Sequence, residues 1–270
     1  MKSYILGLLS ITTFVLVTAN GLADELKVED ARTEDGKNGK VTRYYEGGQV
    51  YDERNYKDGK LDGQMKRYFE SGKVAEEVSF VDGKLNGVHR RYHDGGYLIE
   101  ETPFTDGLEN GTYKSFFPNG GLRQEAQYVA GKLEGYVRLW YEDGKIREEN
   151  NYTNGEPNGL SKGFDKKGNL SVEMPYLDGK FNGEARFFHP NGKPRALKEY
   201  KNGVQEGWAI LYDEQGNVTE RRYYEAGQRV DAGELSIPDQ PTQAADPDAP
   251  EPEGISNKLL REWAGGGESQ

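Results

Sequence analysis

The chain has 270 residues, of which only 34% are apolar and 36 are glycine, so it lacks the side chains for one large globular core. The absence of cysteine excludes a disulfide framework, a thiolate metal site and an N-terminal lipidated cysteine. The net charge is −11 and both signs are interspersed, which excludes a nucleic-acid-binding surface.

Residues 1–23 have the pattern of a secretory signal peptide. Lys2 precedes an apolar run from about Ile5 to Ala19, and small residues follow. The run is shorter than the roughly 20 apolar residues that a membrane-spanning helix needs. We therefore expect an exported protein, periplasmic or secreted in a bacterial envelope, with cleavage after Ala19 or Ala23. An uncleaved membrane anchor is the alternative.

Residues 24–38 form a polar lead-in to the part of the chain that follows. The end of this segment, from Asp35 to Gly39, resembles a truncated copy of a turn that recurs later in the chain. We expect the lead-in to pair with the first edge of the structure formed by residues 39–233.

Residues 39–233 contain a 24-residue unit that is repeated eight times. Counted from Gly39 as position 0, every unit has glycine at positions 0, 9 and 20 and an aromatic residue at positions 5 and 17. A fixed period in this range indicates a repeat array, whose units bury their apolar faces against their neighbours. The position-5 aromatics are Tyr44, Tyr68, Tyr92, Phe116, Trp140, Phe164, Phe188 and Tyr212, and those at position 17 are Tyr56, Phe80, Phe104, Tyr128, Tyr152, Tyr176, Tyr200 and Tyr224.

The glycines predict two turns in each unit. Asp143-Gly144 at positions 8 and 9 and Asp82-Gly83 at positions 19 and 20 are dipeptides that favour two-residue type I′ hairpin loops. Glycines this frequent interrupt any helix before it repays its nucleation cost. The predicted fold is all-β, an elongated single-layer antiparallel sheet of eight hairpins.

The first loop predicts a register in which the positions of two cross-strand partners add up to seventeen. In five consecutive units this register places Lys or Arg at position 3 opposite Glu at position 14, as in Lys66 and Glu77. Such pairs stabilise a sheet by roughly 0.2–1 kcal/mol each. Strand alternation then predicts that the aliphatic residues at position 11 share a face with the position-17 aromatics, and that the position-5 aromatics lie on the opposite face beside the ion pairs.

The array is followed by two segments of different composition. Residues 234–254 are acidic, proline-rich and without aromatic side chains, which is typical of a disordered linker. Residues 255–270 place apolar side chains at helical spacing, and this predicts a short amphipathic helix, either a fraying tail or a docking peptide. Its apolar residues are Ile255, Leu259, Leu260 and Trp263.

The sequence contains no pattern of catalytic or metal-binding residues. No nucleophile stands beside a base in a known spacing, and no glycine loop precedes a helix. His93 and His189 occupy position 6, where other units carry aromatic rings, so we interpret them as packing residues and not as metal ligands. We predict no catalytic site, no metal site and no cofactor.

Two rows of side chains are candidates for binding. A basic row could attract anionic lipid headgroups, unless each charge is neutralised by its partner Glu. A row of rings could contact sugar rings or peptide side chains, unless it is covered by packing. The basic row is Lys66, Arg90, Lys114, Arg138, Lys162 and Arg186, and the ring row is Tyr68, Tyr92, Phe116, Trp140, Phe164 and Phe188.

The unit resembles the MORN repeat family, in particular its bacterial variant, whose members are often labelled antitoxin-like. The resemblance is best seen in the segments 68–73 and 80–87, and it covers about residues 39–230. It implies an antiparallel sheet of stacked hairpins that serves protein–protein interaction, scaffolding or membrane-lipid association, without catalysis.

From these observations we expect an exported, non-enzymatic scaffold that presents one face to an unknown protein partner in the cell envelope. The alternatives are a binding module for envelope glycans or for anionic membrane lipids, and an antitoxin-like component as the family label implies. Lipid binding through the basic row is expected to collapse at high salt, whereas glycan binding through rings such as Trp140 is expected to survive it.

Overall fold

The structure is a computed structural model that describes residues 27–230. All regular structure in this range is β-strand, and 23 strands belong to one open antiparallel sheet. Within this range no helix is long and apolar enough to cross a membrane. The expected all-β sheet of hairpin repeats is confirmed. The predicted signal peptide, linker and C-terminal tail lie outside the described residues.

Each unit forms one hairpin of two main strands. The first strands are β2 (Gly39–Tyr44), β5 (Gly63–Tyr68), β8 (Gly87–Tyr92), β11 (Gly111–Phe116), β13 (Lys132–Trp140), β16 (Gly159–Phe164), β19 (Gly183–Phe188) and β21 (Val204–Tyr212). The second strands are β3 (Val50–Lys57), β6 (Val74–Val81), β9 (Leu98–Thr105), β12 (Leu122–Val129), β14 (Ile146–Thr153), β17 (Leu170–Leu177), β20 (Pro194–Lys201) and β22 (Val218–Glu225).

Short strands complete the sheet between the hairpins and at its ends. Those that follow a second strand fold back on it through a tight turn, as when Lys84 and Leu85 pair with Val81 and Phe80. The short strands are β1 (Lys27–Asp30), β4 (Lys60–Leu61), β7 (Lys84–Leu85), β10 (Leu108–Glu109), β15 (Glu156–Pro157), β18 (Lys180–Phe181) and β23 (Gln228–Val230).

The lead-in pairs with the first hairpin, as expected. Strand β1 lies antiparallel to β2, with Glu29 opposite Thr42. Neighbouring units are also joined at their tight turns, where the N–H of the position-20 glycine donates to a carbonyl of the preceding unit. Gly83 donates to the Leu61 carbonyl at 2.7 Å, and Gly155 to the Leu133 carbonyl at 2.9 Å.

The two turns of a unit differ, and the prediction of a type I′ loop is right for only one of them. At the second turn both central residues have positive φ, as in Asp82 at 50° and Gly83 at 82°. At the first turn only the glycine does, as in Gly72 at 79°, and its N–H donates to the Phe69 carbonyl at 2.8 Å. The first loop therefore has three residues and ends in a left-handed glycine, so the two-residue prediction is wrong there.

The predicted register is nevertheless correct for the first five positions of each unit. A three-residue loop alone makes partner positions add up to sixteen, as in Tyr68 opposite Val74. A β-bulge follows in all eight hairpins, between positions 4 and 5 of the first strand. Because the bulge adds one residue to the second strand, the sum becomes seventeen and Lys66 lies opposite Glu77.

The bulge also corrects the predicted position of the aliphatic residues at position 11. Cross-strand partners point to the same side of a sheet, so Val74 shares a face with Tyr68 and not with the position-17 ring Phe80. We call the face that carries positions 3, 5 and 14 the ladder face, and the opposite face, which carries positions 2, 4, 13, 15 and 17, the packed face.

Most buried side chains lie on the packed face. Small and aliphatic residues at positions 2 and 15, such as Met65, Val78 and Ala126, are buried beside the position-17 rings. Burial raises the pKa of one of these rings, Tyr128, to about 12. The packed face therefore carries most of the buried apolar side chains and takes the place of a globular core. The ladder face is the more accessible one.

Candidate functional site

A continuous row of alternating charges crosses the ladder face. Position 14 of each unit faces position 3 of its own unit and position 3 of the next, so Glu77 lies between Lys66 and Arg90. The row, here called the charge ladder, runs Glu53, Lys66, Glu77, Arg90, Glu101, Lys114, Glu125, Arg138, Glu149, Lys162, Glu173 and Arg186.

Ion pairs form at five of the eleven pairs of neighbouring residues in the charge ladder. The charged atoms lie 2.8 Å apart in Lys66–Glu77, 2.7 Å in Arg90–Glu101, 3.9 Å in Lys114–Glu125, 2.9 Å in Arg138–Glu149 and 4.0 Å in Glu173–Arg186. The pKa of Glu77 lies below its usual value chiefly because Lys66 donates a hydrogen bond to it. Five of the six cations of the predicted basic row therefore form an ion pair with one ladder glutamate.

The position-5 rings lie beside the charge ladder, as predicted, and most are half-buried. The Tyr68 hydroxyl donates to Glu53 at 3.1 Å, and the Tyr92 hydroxyl donates to Glu77 at 3.2 Å. Burial raises the pKa of both tyrosines. These rings thus help to position the ladder glutamates.

The charge ladder ends in the seventh unit. Arg186 faces Leu197, as the sequence predicts, and Leu197 in turn faces Ile210. Leu197, Ile210 and Tyr212 form a buried cluster with Trp208 packed against it. The apolar cluster therefore takes the place of two ladder charges, at position 14 of the seventh unit and position 3 of the eighth.

Position-6 side chains link neighbouring units, which agrees with the interpretation of His189 and His93 as packing residues. The Tyr45 hydroxyl donates to the Tyr68 carbonyl at 2.8 Å, and His189 Nε2 lies 3.0 Å from the Tyr212 carbonyl oxygen. His93 stacks on Tyr97 with ring centroids 4.5 Å apart. Within residues 27–230 no three His, Asp or Glu side chains form a group that could hold a metal ion.

A second charged row, on the packed face of the first three units, is missed by the sequence argument. Asp52 is fully buried and accepts hydrogen bonds from Arg43 and Arg54. Glu76 contacts Arg67 at 3.0 Å and His89 at 2.7 Å. The sequence pattern behind this row is Arg at position 4 and Asp or Glu at position 13. It occurs only in the first three units, so it is not among the columns that all eight units share.

Most of the exposed apolar residues lie on one edge of the ladder face, a feature that the column pattern of the sequence does not reveal. Among the described residues nine large apolar side chains are exposed, and seven of these occupy positions 1, 18 and 21. Position 18 shares the ladder face by strand alternation, position 1 does so with position 3, and position 21 is the cross-strand partner of position 18. These residues, here called the apolar band, are Val81, Leu108, Val129, Tyr136, Leu160, Leu177 and Val204, each 39–52% exposed.

A family model described as MORN repeat variant matches the chain five times, at residues 37–58, 61–82, 109–130, 133–154 and 181–202. The chain belongs to the MORN repeat variant family. The third, sixth and eighth units lie outside the matched segments but have the same hairpin and bulge. No curated protein matches the chain. MORN repeats are typical of scaffolds and binding modules without catalytic activity.

Proposed function

We propose that this MORN repeat protein is an exported, non-catalytic scaffold whose apolar band binds a protein partner in the cell envelope. The observation that supports this proposal is the gathering of seven exposed apolar side chains on one edge of one face. Exposed apolar side chains that are scattered singly need no explanation, but a contiguous group of them marks an interaction surface.

The proposal favours a protein over a lipid surface for an electrostatic reason. Each ladder cation except Arg186 lies between two glutamates, as Arg90 lies between Glu77 and Glu101. A row with no net positive charge gives little attraction to anionic headgroups. The apolar band lies beside this row, and three of its members stand next to the exposed lysines Lys84, Lys132 and Lys180. Apolar side chains with polar neighbours are typical of protein interfaces.

Export is the second part of the proposal, and it is supported by the signal-like sequence of residues 1–23. It is tested by N-terminal sequencing of the protein purified from its own cells. A mature chain that begins at Asn20 or Asp24 is expected. A chain that retains Met1 and is found in the cytoplasm contradicts export.

Site-specific photo-crosslinking tests the binding surface. A photoreactive residue is placed at Val129 or Tyr136 on the apolar band, and at Arg91, which is exposed on the packed face, as the control. In intact cells we expect one discrete adduct from both band positions and none from Arg91. Adducts from Arg91 at equal yield, or none from either band position, contradict the proposal.

A further inference from the structure

The ladder face contains an open groove at its C-terminal end, beside the end of the apolar band. It is shallow and open to solvent, with a volume of about 640 Å³. Three glutamates, Glu184, Glu199 and Glu206, line it together with one lysine, Lys201. The apolar band thus continues into a surface of negative charge.

Two of these glutamates are direct cross-strand partners. Glu184 lies opposite Glu199 at positions 1 and 16 of the seventh unit, and like charges directly opposite each other destabilise a sheet. In the other seven hairpins this pair of positions holds at most one charged residue. The like-charged pair is therefore a local departure from the charge ladder, in which opposite charges face each other.

The three carboxylates are held in fixed positions by hydrogen bonds. Glu199 accepts from the Trp208 N–H at 3.1 Å, and Glu184 accepts from Arg186 Nε at 2.8 Å. Glu206 accepts from the Ala226 N–H at 2.7 Å. The Glu199 carboxylate lies over the backbone of Gly207, where a Cβ would be 1.8 Å from Oε2 and would displace the carboxylate.

Aromatic rings stand next to these carboxylates. Tyr223 lines the groove and contacts Trp208 edge-to-face, with ring centroids 5.2 Å apart. Ring faces beside carboxylates attract the ammonium of lysine and the guanidinium of arginine through cation–π and ionic contacts together. The chemistry of the groove therefore complements a cationic side chain.

We infer that this groove receives lysine or arginine side chains of the protein segment that lies on the apolar band. The inference rests on the proposed function and adds the chemistry of the partner. The bound segment has apolar side chains along its length and a basic residue at the end that meets the seventh unit. Glu184 is already paired with Arg186, whereas the Glu199 and Glu206 carboxylates accept from backbone N–H groups. A bound cation would meet the negative charge of these two carboxylates, so the groove favours a basic partner over an apolar one.

A peptide titration of the full-length protein tests the inference. The probe is a fluorescently labelled, end-blocked peptide of alternating lysine and valine, and the reference peptide has glutamate in place of lysine. Binding is followed by fluorescence anisotropy for the wild type and for the double variant Glu184→Gln/Glu199→Gln. The control double variant, Glu70→Gln/Glu214→Gln, removes the same charge from two exposed glutamates outside the groove.

We expect the groove variant to weaken binding of the lysine peptide by roughly tenfold, and the control to change it by less than about twofold. Equal losses in the two variants would show attraction to the overall negative charge and overturn the inference, as would absence of binding to the wild type. Self-association that is lost only in the groove variant, seen by analytical ultracentrifugation, would also overturn it, because a second copy would then be the occupant. If the titration fails while the adducts from Tyr136 persist, the groove inference falls and the binding role of the apolar band stands.

Discussion

At the scale of single residues, each ion pair of the charge ladder contributes a small amount to the free energy of unfolding. An exposed ion pair is worth little, but the ladder glutamates are half-buried, and each of them except Glu53 faces two cations. The sequence was sufficient to predict these partners, because opposite charges at positions 3 and 14 fit only one register of the hairpin. It could not predict the second, inter-unit neighbour, because that pairing depends on the geometry of the tight turn.

Replacement of Glu77 by glutamine is expected to lower the free energy of unfolding by about 1 kcal/mol at pH 7. The folded-state pKa of Glu77 lies below its usual value of 4.5, chiefly because of the hydrogen bond from Lys66. This carboxylate therefore stabilises the fold above pH 4.5, and the contribution is lost as the pH falls through the folded pKa. Urea unfolding of wild type and variant at pH 7 and at low pH measures the difference.

The matched control for this prediction is Glu70→Gln, since Glu70 is exposed in a first-turn loop. Its stability difference from wild type is expected to be close to zero at both pH values. If the difference in free energy of unfolding between Glu77→Gln and wild type is the same at low pH as at pH 7, the loss of stability comes from packing and not from the ionised carboxylate.

At the scale of the element, glycine and charge patterns predicted the hairpins, but backbone detail escaped the sequence. The bulge has no side-chain signature, since position 12 holds residues as different as Tyr51, Ala75, Ile99 and Arg123. Without the bulge, the side of the sheet on which the position-11 residues lie could not be predicted correctly. The first turn was misjudged because Asp-Gly and Asn-Gly also suit a three-residue loop that ends in glycine.

The second turn gives a prediction at the same scale. Ala130 has a φ of 47° at position 19, where most units carry Asp or Asn. Alanine in this left-handed conformation costs roughly 1–2 kcal/mol, and asparagine tolerates it better. Ala130→Asn is therefore expected to stabilise the protein by about 1 kcal/mol in thermal or urea unfolding.

The reverse substitution at the same position of another unit is the control. Asp82→Ala, where Asp82 has a φ of 50°, is expected to destabilise by a similar amount. If both substitutions change stability in the same direction, the left-handed conformation does not determine the residue at position 19.

At the scale of the whole molecule, the function proposed here depends on which side chains share a face. The apolar band was invisible in the sequence because no column is uniformly apolar at positions 1, 18 and 21; for example, position 21 holds Leu108 in one unit and Lys132 in the next. Only the register places these scattered residues on one edge. The ring row and the basic row were easier to find, because their columns are uniform, and the structure places both on the ladder face.

Every assignment to the ladder face or the packed face follows from the register between units. Because the chain has no cysteine, pairs of introduced cysteines can test this register directly. Cysteines are introduced at Lys114 and Glu101, which are cross-strand partners in adjacent units, and separately at Lys114 and Glu100, one residue away and on the opposite face. Cross-strand Cα atoms lie within disulfide range, whereas side chains on opposite faces do not meet. The yield of intramolecular disulfide under mild oxidation is the measurement. We predict a high yield for Lys114→Cys/Glu101→Cys and almost none for Lys114→Cys/Glu100→Cys; equal yields, or the reverse order, would contradict the register and with it the division of the sheet into a ladder face and a packed face.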